Sequence, residues 1–181
     1  MLRTRVASEP SLRLMESGIA LPILDDAERI LRMNEWTALT SLSVDADQRA
    51  RRHYRPDLIV IKKNSGHALL IDVKRSLHSY SGNRQLHALR GRMLAAALVA
   101  PEILYREHKR TMVTRTEAAI IDLANSRKSY GEGVYALSHL DDLLGIEGLA
   151  TDLEQCRVHC RAAVDDLVQS LARESFPGPC P

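Results

Sequence analysis

Two aspartates and a lysine carry the chemistry most readily read from this chain: Asp57, Asp72 and Lys74. Paired carboxylates bind hard divalent cations or move protons, and an ammonium beside them can stabilise a developing anion. Their use depends on whether the chain brings them together. Asp57 opens the apolar run Leu58-Ile59-Val60-Ile61, and Asp72 follows the run Ala68-Leu69-Leu70-Ile71. Apolar residues at both strand parities predict strands covered on both faces, from Asp57 to Lys62 and from His67 to Lys74. Between them Lys63-Asn64-Ser65-Gly66 is turn chemistry, with Asn and Gly able to take positive φ.

Register decides what these residues can do. With a four-residue loop over 63–66, Lys62 faces His67 and Asp57 falls opposite Asp72. Asp72 and Lys74, two apart on one strand, then point to the same face. Directly opposed side chains lie about 4.5–5.5 Å apart at Cβ, where like charges repel unless something pairs them. A two-residue Ser65-Gly66 loop would oppose Asp57 and Lys74 instead, with all three still on one face. A one-residue slip would separate them, and a three-residue loop with a bulge leaves the arrangement open. Two acids forced together favour a divalent cation, and their hard oxygens suit magnesium, with manganese the alternative.

Pro56-Asp57, fourteen intervening residues, and Asp72-Val73-Lys74 together resemble the signature of the PD-(D/E)XK (restriction-endonuclease-like) nuclease superfamily. The surrounding pattern agrees: an apolar strand follows the Pro-Asp pair, a turn intervenes, and a second apolar strand ends in Asp-Val-Lys. The resemblance implies metal-dependent hydrolysis of a phosphodiester, by an endonuclease or an exonuclease, on DNA in preference to RNA. It implies that Asp57, Asp72 and the Val73 backbone carbonyl hold magnesium. Lys74 takes the place that orients the attacking water or stabilises the pentavalent phosphate. A first helix in this superfamily often adds an acid, which makes Glu28 the candidate here, with Glu16 and Glu35 as rivals. The helix after the motif often presents a polar or basic residue to phosphate, and Arg84 and Gln85 hold that position. The alternative is a nucleic-acid-binding or assembly subunit of the same fold that has lost cleavage.

Charge supports a polyanionic partner. Between residues 49 and 92 stand eleven Lys/Arg against two acids, Asp57 and Asp72, so this segment carries +9 and the remainder −7 of the net +2. A basic field around a carboxylate site suits capture of nucleic acid, and Arg55 and Arg75 flank the motif as phosphate contacts. His53, His67, His78 and His87 lie around the motif and are expected to be peripheral. Aromatic residues are few, which argues against a wide base-stacking platform. No apolar run approaches the 18 or so residues of a membrane span, and no secretory leader is expected behind Arg3 and Arg5. Three cysteines in no framework point to a reduced, cytoplasmic compartment.

The expected architecture is a single α/β domain over residues 1–181, with a mixed central sheet flanked by helices. Its nuclease-like core covers about residues 20–145, and a C-terminal helix over 149–172 is added. In order, residues 1–10 are expected to fray, with a short helix over 11–18. A helix follows from Pro22 to Met33, then a first strand from Trp36 to Val44 and a polar loop over 45–54. After the two motif strands and a polar loop come a helix from Arg84 to Val99 and a helical continuation past Pro101. Strands follow at Glu117–Leu123 and Val134–Leu137. Ser138 and Asp141 suggest a capping box for a helix over 139–144. In the last helix, Leu153, Cys160 and Leu167 recur every seven residues, with Cys156, Val164 and Leu171 widening the stripe. That face is expected to pack or to form a homodimer, which would give a duplex-cutting nuclease two sites. Cys156, His159 and Cys160 lie largely on the same stripe and read as packing residues rather than zinc ligands. The Pro-Gly-Pro tail after Phe176 is expected to be disordered.

Overall fold

The computed structural model describes residues 1–46, 50, 52–80, 83–126, 131 and 133–175. Its centre is a mixed sheet of five strands in the order β1 (Leu12–Leu14), β4 (Leu58–Lys62), β5 (His67–Lys74), β6 (Arg115–Asp122) and β7 (Val134–Ala136). β4 runs antiparallel to both of its neighbours, β1 and β5, while β6 pairs parallel with β5 and β7 parallel with β6. A second ribbon pairs β2 (Leu21–Ile23) with β3 (Arg52–Tyr54). The helices are α1 (Leu2–Ser8), α2 (Asp25–Met33), α3 (Trp36–Leu39), α4 (Asn83–Glu107), α5 (Leu140–Leu144) and α6 (Leu149–Ser175). No helix among the described residues is long and apolar enough to cross a membrane.

The β4–β5 hairpin has the four-residue connection expected, with Lys62 paired to His67 and Leu58 to Ile71. Gly66 makes the turn: its φ is +67°, its amide donates to the Lys62 carbonyl at 2.8 Å, and a Cβ there would meet the Thr114 side chain at 3.2 Å. Alternation then divides the core. Ile59, Ile61, Ala68, Leu70, Ala118 and Ile120 face the layer made by α2 and α4. Leu58, Val60, Leu69, Ile71, Ala119 and Ile121 face the layer that contains Val6, Leu140, Leu144 and Leu149. Both faces are covered, which is why these strands are apolar at both parities. The parallel step from β5 to β6 requires a crossover, and α4 supplies it. Its segment from Ala95 to Ala100 is fully buried, and burial on every side holds the helix continuous through Pro101.

Several local expectations give way to tertiary pairing. The stretch 11–18 contains the three-residue strand β1 and no helix, because Leu12 and Leu14 flank Arg13 on an edge that pairs with β4. Residues 2–8 are helical rather than frayed, anchored by the fully buried Val6. Pro22 lies in β2, opposite His53, and the helix starts only at Asp25. A proline is tolerated in such a two-stranded ribbon because each strand has a free edge. Trp36 opens the short helix α3 rather than a strand, so 36–44 adds no strand to the sheet. The loop expected over 45–54 ends in β3. Ser138 makes no capping bond to α5. Asp141 caps the next helix instead, accepting from the amides of Gly148 at 2.8 Å and Ala150 at 2.7 Å. The tail after Phe176 lies outside the described residues.

From Arg157 to Leu171, α6 is exposed on all sides, including Val164, Leu167 and Leu171. Only its first turns pack, through Leu149 and Leu153.

The hairpin turn generates the first prediction. Gly66→Val should lower unfolding free energy by about 1–2 kcal/mol, the usual cost of a left-handed L-residue. Urea denaturation with an unchanged slope would measure it, and an unshifted midpoint would contradict the turn geometry.

Candidate active site

One step beyond the last paired residues of the hairpin, Asp57 and Asp72 stand opposite each other at its open end. Both side chains project to the α4 face, on the parity of Ile59 and Leu70. Asp72 is buried, and both of its oxygens are engaged: Tyr54 donates its hydroxyl to Oδ2, and Lys74 donates Nζ to Oδ1. The Val73 amide donates to Asp57 Oδ2 at 2.7 Å. A strand places a residue's N–H and C=O on the same side, so the Val73 backbone is turned towards Asp57. Arg3 of α1 reaches the Asp57 backbone carbonyl at 3.4 Å.

The electrostatics follow from this crowding. Burial pushes the Asp57 carboxyl above its ordinary value, and the Asp72 charge pushes the same way, while the Val73 amide and Lys74 oppose them. Burial likewise raises the Tyr54 phenol, reinforced by its hydrogen bond to Asp72 and by that charge. Tyr54 therefore remains protonated as a donor, and it fixes one edge of the Asp72 carboxylate.

The chain leaving Lys74 is held from below. Asp122, fully buried and paired with Lys74 across β5 and β6, accepts from the Ser126 amide at 2.8 Å and the Ser126 hydroxyl at 2.7 Å. Ser126 Oγ in turn accepts the Leu77 amide at 3.1 Å. Asp122 thus positions the loop after the motif and does not enter the acid pair.

A groove of about 960 Å³ runs between α2–α3 and α4, and neither Asp57, Asp72 nor Lys74 lines it. Gln85 lines it, whereas Arg84 is exposed and does not. Arg55 and Arg75 are exposed next to the pair in sequence, Arg55 following Tyr54 and Arg75 following Lys74. Glu28 does not join Asp57 and Asp72: Arg52 binds it at 2.8 Å, and both line the groove. Its rivals fare no better, since Glu35 lines the same groove and Glu16 is exposed in the turn after β1. His67 lies at the far end of β5 against Glu117 at 3.2 Å, His53 and His78 are exposed, and His87 lines the groove.

Among the described residues, no group of three or more His, Cys, Asp or Glu side chains is arranged to hold a metal ion. Cys156, His159 and Cys160 make none. The pair Asp57 and Asp72 is nonetheless a donor set that fits magnesium, which binds through one or two carboxylates and completes its shell with water and substrate phosphate. Tyr54, Arg52 and Arg92 were not singled out by sequence. Arg92 is near enough to Tyr54 for its charge to act on the phenol. Their only signal in the chain is membership of the basic segment.

Comparison with known proteins leaves the site to stand on its geometry. No family model, curated protein or solved structure matches this chain.

Because the folded state raises the Asp57 pKa, it binds that proton more tightly than the unfolded chain does. This residue's contribution to stability is therefore greatest below the ordinary aspartate value and falls as pH rises to the raised one. Asp57→Asn should accordingly raise the melting temperature of metal-free protein at neutral pH, with the gain vanishing towards pH 3–4. Melting curves across that range check it, and a variant less stable than wild type at pH 7 would contradict it.

Proposed function

We propose that this protein is a divalent-metal-dependent nuclease of the PD-(D/E)XK type, hydrolysing phosphodiester bonds of nucleic acid. The preference for DNA over RNA rests on the resemblance of its motif. The observation that carries the reading is the convergence of Asp57, Asp72 and Lys74 on one face at the open end of a buried hairpin. A structural ion pair would need only one acid per cation. A second carboxylate facing the first, with its pKa raised, is a charge arrangement that costs stability and calls for a cation.

Asp57 and Asp72, with the Val73 carbonyl, would hold magnesium or manganese. The ion would lower the pKa of a bound water and offset charge on the phosphate. Tyr54 orients Asp72, and the Val73 amide orients Asp57, so neither carboxylate must reorganise when the site is used. Lys74, seated on Asp72, supplies the positive charge that orients the attacking water or stabilises the pentavalent phosphate. The basic segment from residue 49 to 92 draws the polyanion in, so binding should weaken steeply with salt.

The test is a cleavage assay on single-stranded, duplex and branched DNA and RNA, with magnesium, manganese or chelator. Wild type should cut only with metal. Asp72→Asn and Lys74→Ala, folded by circular dichroism, should lose roughly 100-fold or more in rate, the usual cost of a charged group acting on the transition state. Undiminished cutting by folded Asp72→Asn would rule out this site. Binding without cutting by wild type would point to a non-cleaving subunit.

A second copy of the chain is the partner proposed for the exposed part of α6. Arg157 and Arg161 precede Asp165 and Asp166 along the helix, so an antiparallel copy sets basic residues against acidic ones while covering Val164, Leu167 and Leu171. Sedimentation in the tens of micromolar should give a dimer that Leu167→Glu dissociates. A monomer, or a dimer indifferent to that change, would contradict it.

A further inference from the structure

The groove between α2–α3 and α4 contains a residue that the fold does not require. Gly91 lies in the middle of α4, where glycine costs stability relative to alanine. A Cβ built on Gly91 meets no heavy atom within 4 Å. Neither packing nor backbone conformation therefore explains the glycine, since its φ is not positive. With Ala88, one turn earlier, it lines the groove and leaves the helix backbone open to whatever lies there. A glycine at this position leaves room for the close approach of a ligand to the helix backbone.

The other walls indicate the ligand's chemistry. Arginines outnumber the two acids Glu28 and Glu35 that line the groove. Arg52 is held by Glu28 at 2.8 Å, and Arg32 and Arg92 are the planar guanidinium groups suited to pair with phosphate and stack on bases. Trp36 and Tyr80 line the same space, each only partly buried, so the chain's few aromatic residues contribute two rings here. Strand β3 links the groove to the acid pair, although none of Tyr54, Asp57, Asp72 and Lys74 lines the groove itself. Arg52 lines it, and Tyr54, two residues further along the same face of β3, bonds Asp72.

We infer that this groove binds a single strand of nucleic acid, with its backbone against the arginines and unstacked bases against Trp36 and Tyr80. A duplex keeps its bases stacked inside a wide cylinder and offers none to such walls. A volume of about 960 Å³ is at the upper end of small-ligand sites and accommodates a few nucleotide units of one strand. The inference rests on the nuclease reading for the class of ligand and narrows it to unpaired or frayed strands. It leaves the dimer of α6 as an assembly contact rather than a device for paired cuts.

The test measures binding without chemistry. Fluorescence anisotropy in chelator would compare a labelled twelve-residue oligothymidylate with the same strand annealed to oligoadenylate, on wild type, Gly91→Ala and Asp72→Asn. Wild type should bind the single strand at least about 10-fold more tightly than the duplex at equal salt. Gly91→Ala should melt about 1–4 °C higher, as removal of a helical glycine predicts for a chain of this size, yet bind the single strand at least about 5-fold more weakly. A glycine of purely structural consequence would give the first change without the second. Equal or tighter duplex binding, or wild-type affinity in Gly91→Ala, would overturn the inference even if the protein cleaves. Single-strand binding lost in Gly91→Ala, with no metal-dependent cleavage by wild type, would uphold the groove and defeat the nuclease reading instead.

Discussion

The opposition of Asp57 and Asp72 across the mouth of the β4–β5 hairpin is the constraint around which the neighbouring structure is arranged. Two carboxylates at this separation repel, and part-burial deepens the cost. The chain answers with fixed donors: the Tyr54 hydroxyl and Lys74 on Asp72, and the Val73 amide on Asp57. The Val73 amide and Lys74 come from β5 itself and Tyr54 from the β2–β3 ribbon, so every donor is carried by a paired strand. Stability given up at one point, with the means to hold it there, is what a binding or catalytic site requires.

The supporting layers follow from that. Gly66 sets the hairpin register that opposes the two acids. The ladder between β5 and β6 carries Lys74 beside Asp122, and Asp122 ties down the loop leading away from the motif. The crossover helix α4 then lies along the same face as the acids, and its small residues let it approach the sheet closely. β3 serves both regions, with Arg52 lining the groove along α4 and Tyr54 bonded to Asp72.

The hairpin was legible in the sequence because its signals are local. Period-two apolar runs, a four-residue turn with glycine at its end and a fixed count back to Asp57 leave little for tertiary structure to change. The long helix over α4 and the strand β6 were legible for the same reason. What eluded local reading depends on distant partners. β1 is three residues whose strand state comes from β4, some 46 residues further along. Pro22 suggested a helix start but sits in a ribbon made possible by β3. Trp36 looks like a strand former by type, yet its segment turns helical against α4. The site divides the same way. Spacing alone brings Asp57, Asp72 and Lys74 together, whereas Tyr54 joins them only through folding, and Glu28 is held by Arg52. No spacing rule tells an acid held by an arginine from one free to bind metal.

The central claim is that the opposed carboxylates form a site for a divalent cation. Manganese can report on it directly, because its paramagnetic resonance signal falls when the ion becomes protein-bound. Titrated into metal-free protein, manganese should bind at one site per chain, be displaced by excess magnesium, and bind at least about 10-fold more weakly to Asp57→Asn, which keeps its fold but lacks one charged ligand. Manganese binding equal in wild type and Asp57→Asn, or absent from both, would contradict the account.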